Sequence, residues 1–180
     1  MLMALEYWLR GDIPPGPIKA IVLTDIKRVV EIMKRYRNSS IILLGSQITK
    51  LEEIVGEKVV EKFVDIANAI NSEIITSNSK TVKILDSIGF KRYRIMFPLE
   101  IVQKLSRNSL KYKMLVTLAG FRYAYGWLLL NSLKHYGPGI YTLSLDPYAQ
   151  PNATWTLPSL PLQIWIKNLS RLIEMLKAPS

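Results

Sequence analysis

The sequence predicts an α/β domain of the doubly wound class, a parallel sheet with helices on both faces. Three observations predict it. Short aliphatic runs close on glycine, as in Ile41-Ile42-Leu43-Leu44-Gly45 and in residues 114–118 before Gly120, which is how strands buried on both faces read. Between such runs lie segments whose apolar residues recur at helical spacing, and strand–helix alternation implies crossover connections and parallel strands. The chain has 180 residues, the size of one domain.

Taken in order, residues 1–18 end in Ile13-Pro14-Pro15-Gly16-Pro17, where three prolines in four positions exclude helix interior and central strand. An extended lead-in lying on a single domain of residues 19–180 is expected. Thr24 or Asp25 is placed to cap a helix whose apolar positions are Ile26, Val29, Val30 and Met33. Asn38-Ser39-Ser40 stops it and opens the first buried strand. Residues 57–70 read as an amphipathic helix, 73–76 as a strand, and 79–88 and 98–105 as helices. After the strand at 114–118 comes a helix over 122–136, stopped by Gly137-Pro138-Gly139. Residues 140–145 form a strand ending at Asp146. The last helix carries one apolar stripe that includes Leu162, Trp165, Leu169, Leu172 and Leu176, with Lys167, Asn168, Arg171 and Glu174 off it.

Composition narrows the chemistry. Hydrophobic residues at 49% and charged residues at 21% fit a globular chain and not a disordered or fibrous one. With no cysteine, the chain has no disulfide, thiolate nucleophile or sulfur-ligated metal of its own, and with His135 alone it builds no multi-histidine site. The net charge of +10 directs attention to RNA, DNA, an anionic membrane or an acidic protein. Glu6 and Arg10 interrupt any signal-peptide core, and apolar stretches such as 41–44 and 127–130 are too short to cross a bilayer. A cytoplasmic protein is expected.

Ligands of open parallel sheets bind beyond the carboxyl ends of the strands. The residues placed there are Gly45, Ser46 and Gln47; Ser77, Asn78 and Ser79; Gly120 and Phe121; and the stretch from Asp146 to Asn152. Their small, polar character suits backbone amides approaching a phosphate or ribose, while glycines at strand ends equally serve tight turns. Neither GxGxxG nor GxxxxGK[ST] is present. His135 closes a helix, where an imidazole suits the macrodipole, and Asp146 has no second carboxylate beside it. No catalytic residue is assigned.

Two further segments stand out. From Lys80 to Lys113 nine cations face only Asp86 and Glu100, and Lys91-Arg92-Tyr93-Arg94 interleaves a ring with charge. Single-stranded nucleic acid, an acidic subunit and plain solvent all suit such a patch, although no RNA- or DNA-binding motif accompanies it. The helix from Phe121 to Tyr136 is apolar nearly all round, as for a helix buried in its own domain or against a partner.

Several motifs, in order, resemble a known family. Asp12-Ile13-Pro14-Pro15-Gly16-Pro17-Ile18-Lys19-Ala20 is similar to an IPGPK-A lead-in, and Ser40-Ile41-Ile42-Leu43-Leu44-Gly45-Ser46 to a first strand and turn. Ile75-Thr76-Ser77-Asn78-Ser79-Lys80 matches a small-residue loop. Gly120-Phe121-Arg122-Tyr123-Ala124-Tyr125, Ser132-Leu133-Lys134, and Asp146-Pro147-Tyr148-Ala149-Gln150-Pro151-Asn152-Ala153 resemble an aromatic helix and a D-x-Y-x-x-P-N-A segment. Together, over residues 12–177, they resemble the epsilon subunit of archaeal carbon monoxide dehydrogenase/acetyl-CoA decarbonylase–synthase complexes. Residues 122–125 depart from the family's longer tyrosine run, and residues 156–160 from its Phe-Pro-Asn-like stretch.

The resemblance implies a Rossmann-like fold akin to the NAD/FAD-binding middle domain of thiamine-diphosphate enzymes and sirtuins. It implies an accessory subunit, not catalytic alone, on an alpha subunit that carries nickel and iron–sulfur clusters, in an alpha2-epsilon2 type of assembly. Such complexes interconvert carbon monoxide and carbon dioxide and make or cleave acetyl-CoA in the one-carbon metabolism of anaerobic methanogenic archaea. FAD, in flavin-linked electron transfer, is the organic cofactor implied. A flavin- or nucleotide-binding module outside that complex, and a basic RNA-binding domain, stay open as alternatives.

Overall fold

Among the described residues every strand pairing is parallel. The computed structural model describes residues 20–108 and 113–178; the expected lead-in over 1–18, and Lys111 of the basic stretch, lie outside them. In chain order the elements are β1 (Ile21–Val22), α1 (Ile26–Arg35), β2 (Ser40–Leu44), α2 (Ile48–Val55), α3 (Val59–Ile70), β3 (Glu73–Thr76) and α4 (Ser79–Ser87). They continue with β4 (Tyr93–Ile95), α5 (Pro98–Asn108), β5 (Met114–Ala119), α6 (Tyr123–Tyr136), β6 (Ile140–Ser144), β7 (Trp155–Thr156) and α7 (Leu162–Lys177). The sheet order is β1-β7-β6-β5-β2-β3-β4. From β2 the chain moves outward to β3 and β4, and from β5 it moves the opposite way to β6. The topological switch point therefore lies between the carboxyl ends of β2 and β5.

Local chemistry explains the boundaries. Asp25 caps α1, its carboxylate accepting the Lys27 N–H at 2.9 Å, and Ile26, Val29, Val30 and Met33 are the buried face. All of β2 is buried, which is why its side chains are aliphatic on both faces. Along the strands the sides alternate: Ile42, Leu44, Ile74, Leu115 and Leu143 meet α1, α3 and α7, whereas Ile41, Leu43, Ile75, Val116 and Leu118 meet α5 and α6.

The structure adds elements that periodicity did not show. Helix α2 has only Ile48 and Thr49 buried and ends on Gly56 at φ 69°, so its apolar stripe is too short to register. Because α2 and α3 adjoin, Glu52 reaches across to accept the Val60 N–H at 2.9 Å, and α3 begins at Val59 and not at residue 57. Strands β1, β4 and β7 are two or three residues long, below the length at which alternation can be read.

The apolar helix near residues 121–136 is only half buried: α6 packs Gly126, Leu129, Leu130 and Leu133 inward and leaves Leu128 57% and Tyr136 70% exposed. On the opposite face α7 is seated by Trp165, which is fully buried and donates its indole N–H to the Leu145 carbonyl at 2.8 Å. Trp165→Phe keeps most of the apolar volume but leaves that carbonyl without its donor. It should cost about 1–3 kcal/mol in urea unfolding, with an unchanged m-value.

Candidate functional site

The residues expected to line a ligand site fall into three groups at the carboxyl end of the sheet. At the switch point Gly45 and Gly120 pack against each other. A Cβ on Gly45 would lie 2.3 Å from the Gly120 carbonyl oxygen and 2.7 Å from the Phe121 ring, and one on Gly120, at φ 74°, would lie 2.6 Å from Ile48 Cβ. Three amides of the β2 exit are already engaged. Gln47 N–H donates to Gly120 O at 2.7 Å, Gly45 N–H to Ala119 O at 2.9 Å, and Ile48 N–H to Gly45 O at 3.3 Å. Phe121, buried, fills the remaining space beside Tyr125, their ring centroids 6.0 Å apart. The glycine contact and the Phe121 ring close the space directly between β2 and β5. The glycines here bring two stretches of the protein's own chain together.

The second group is a helix cap. Asn78 Oδ1 accepts the Lys80 N–H at 3.1 Å, its backbone N–H donates to Thr76 Oγ1 at 3.1 Å, and its amide nitrogen reaches Thr49 Oγ1 at 3.5 Å. Ser77 and Ser79 flank it, exposed, and Ser46 stands exposed on the neighbouring turn.

The third group centres on Asp146, which is buried at 4% exposure. Its carboxylate accepts the Gly120 N–H at 2.6 Å and also the Phe121 N–H. Burial raises its pKa from the ordinary 3.8 to about 7, against the two amide bonds that hold the ionised form. The loop that follows grips α6. Gln150 sends its backbone N–H to Thr156 Oγ1 at 3.0 Å and its side-chain amide to the Tyr123 carbonyl at 3.4 Å. Asn152 donates to Asn131 Oδ1 at 3.3 Å and to the Trp127 carbonyl at 3.5 Å. Gln150 was not singled out from sequence, although it sits inside the D-x-Y-x-x-P-N-A segment between the two residues that were.

The outcome is a rigid mounting for α6. Its outward face carries Tyr125 at 38%, Trp127 at 37% and Leu128 at 57% exposure, beside Tyr148 at 58% on the gripping loop. The basic stretch, by contrast, is not one face. Lys80 pairs with Glu53 at the carboxyl end of the sheet and Arg94 with Glu73 along β3 and β4, while Lys91, Arg92 and Lys113 stand at the amino end. His135 is exposed in the last turn of α6. Among the described residues no three His, Cys, Asp or Glu side chains gather where a metal could be held, and no helix is long and apolar enough to cross a membrane.

Two expectations follow. Gly45→Ala drives a methyl into backbone that cannot move aside and should destabilise by roughly 3 kcal/mol or more in urea unfolding. Asp146→Asn should remove a pH-dependent component. A folded-state pKa raised above the unfolded one means that the folded chain holds the proton between the two values, so this contribution is full below about pH 4 and lost above about pH 7. Relative to the Asn variant, the wild type should gain on the order of 2–3 kcal/mol between pH 7 and pH 5, read as the difference of two unfolding curves.

No curated protein sequence gives a significant match. A family described as CO dehydrogenase beta subunit/acetyl-CoA synthase epsilon subunit matches residues 12–176, from the proline-rich segment into α7. With nearly the whole chain matched, the protein belongs to the CO dehydrogenase beta subunit/acetyl-CoA synthase epsilon subunit family.

Proposed function

We propose that the chain is the accessory subunit of a carbon monoxide dehydrogenase/acetyl-CoA synthase assembly, docking through the outer face of α6 on the subunit that bears the nickel and iron–sulfur clusters and stabilising it. The observation that carries this reading is the mounted aromatic face. Tyr125, Trp127 and Leu128 lie outward on a helix whose position is fixed by hydrogen bonds from Gln150 and Asn152. Exposed tyrosine and tryptophan on a rigid element are the side chains that interfaces use as anchors. The absence of cysteine from the sequence fits a chain that holds a neighbour without ligating its clusters.

Within this reading the chain's own part is positioning: α6 presents a surface of fixed geometry, so little side-chain or backbone order has to be acquired on association. Flavin-linked electron transfer is not needed for this part, and the Gly45, Gln47 and Ile48 amides, bonded inside the protein, do not favour it.

The experiment is association with the alpha subunit, followed by titration calorimetry. Leu128→Asp and Trp127→Ala, at exposed positions, should leave folding intact and weaken association by about 1–3 kcal/mol each. Equal affinity for wild type and both variants would move the interface elsewhere. FAD at 100 times a true dissociation constant would stabilise the chain by about 2.7 kcal/mol. With FAD added to the isolated chain, the Tm should stay where it was.

A further inference from the structure

The amino-terminal edge of the sheet carries charge that the reading above does not use. In a parallel sheet every helix-to-strand connection lies at that edge, and here these connections hold Arg37 before β2, Lys91 and Arg92 before β4, and Lys113 before β5, all exposed. Cations in a last helical turn, such as Arg35 and Lys177, answer the helix dipole. Arg37 and Lys91 lie beyond the helix ends, so the dipole does not account for them. Of the nearby carboxylates, Glu73 is paired with Arg94 and Asp65 with Lys177, while Asp86 accepts the Tyr93 hydroxyl and Glu174 lies outside both hollows.

Arg92 is the most constrained of these cations. Its guanidinium donates to Asn68 Oδ1 at 2.6 Å and to Asn71 Oδ1, and sits over the Phe90 ring at 5.8 Å. Asn71, which caps α3 at φ 53°, is tied in turn to Asn38 Oδ1 at 2.7 Å. Neutral amides therefore hold the group in place without cancelling its charge. On either side of Asn68 the surface opens into two hollows, of about 400 Å³ beside Lys91 and Arg92 and about 460 Å³ beside Arg37 and Lys177. No carboxylate lines either hollow.

We infer that this edge is a second docking face, shaped to receive carboxylates of an acidic protein surface on Arg37, Lys91 and Arg92. The inference takes its class of partner from the subunit reading and adds where, and with what chemistry, that partner is met. An oriented guanidinium suits bidentate carboxylate recognition. Single-stranded nucleic acid would call for freely exposed rings between the cations, whereas Phe90 is buried and Tyr93 is half-buried with its hydroxyl held by Asp86.

The test uses the full chain against three probes at matched ionic strength: the alpha subunit, poly-L-glutamate and single-stranded RNA. Arg37→Gln with Lys91→Gln, and the same pair with Arg92→Gln added, neutralise the edge; the pair alone leaves the asparagine network untouched. Lys27→Gln, Lys50→Gln and Lys80→Gln together remove as much charge as the triple variant, but from the opposite end of the sheet. Wild type and the opposite-end variant should be retained alike on the alpha subunit and on poly-glutamate. The triple edge variant should bind roughly tenfold more weakly and depend less on salt, with the pair intermediate. Equal losses in the two triple variants would overturn the inference, as would RNA retained more tightly than poly-glutamate through the same three residues. If the alpha subunit binds all variants equally, the chain is a subunit that docks by another face. If it binds none while poly-glutamate retention is lost only in the edge variants, the subunit reading fails and the acidic-surface assignment stands.

Discussion

A carboxylate sealed from water, with two backbone N–H groups as its partners, sets the geometry of this molecule. Asp146 sits one residue beyond Leu145, and by accepting the amides of Gly120 and Phe121 it draws the exit of β6 against the exit of β5. Gly120 is thereby fixed at positive φ, its carbonyl turned to the Gln47 N–H, and the exit of β2 is brought in as well. Three strand ends converge on one buried acid. Burial disfavours its charge, whereas two oriented amides favour it, and the balance lies near neutrality. Ionisation strengthens its two amide bonds, a carboxylate being the stronger acceptor, but the cost of burying the charge outweighs that gain, so the protonated form is the more stabilising.

The same contact decides what the carboxyl end of the sheet can do. A doubly wound sheet usually leaves a crevice at its switch point, with amides turned to a phosphate. Here Gly45 and Gly120 touch, Phe121 lies beside them, and the amides of Gly45, Gln47, Ile48, Gly120 and Phe121 end on protein oxygens. What the fold offers elsewhere to a ligand is offered here to its own chain. That internal satisfaction gives the turn before α6 a single conformation, and the helix beyond it inherits a fixed direction. The loop from Asp146 through Gln150 and Asn152 then braces α6 along its length. The three residues act as one clamp, and the outward side chains of Tyr125, Trp127 and Leu128 are held where the clamp puts them.

Fold class was legible in the sequence because the central strands must be aliphatic on both faces: β2 and β5 could be read from their runs and closing glycines alone. The edges were not, since β1, β4 and β7 are too short to show alternation and part of their surface faces water. Helix α2 escaped notice for a related reason: Ile54 is 68% exposed, so its apolar residues do not form the stripe that periodicity seeks. At the strand ends the positions were readable and their use was not. Glycine at a strand exit has one sequence signature for two geometries, admission of a ligand and close approach of backbone to backbone. Only the distance from Gly45 to the Gly120 carbonyl tells them apart. Likewise the basic stretch reads as continuous along the chain, while the fold sends Lys80 to one end of the sheet and Lys91 to the other.

The polarity of a parallel sheet turns that separation into a division of labour. Chain exits gather at one end, and there backbone amides are consumed by Asp146 and by facing carbonyls. Chain entries gather at the other end, where helices present their negative ends and attract cations, and where Arg92 is held by neutral amides that leave its charge intact. In the proposed association an apolar surface on the side and a cationic edge at the bottom would answer different needs: long-range charge guides approach, and buried aromatic area sustains contact. Because both are carried by elements anchored in one continuous sheet, from β4 at one edge to β6 next to β5, their mutual orientation is fixed before any partner arrives. Under the proposed role, a chain without cysteines would serve a metal-bearing neighbour in this way, by orientation alone.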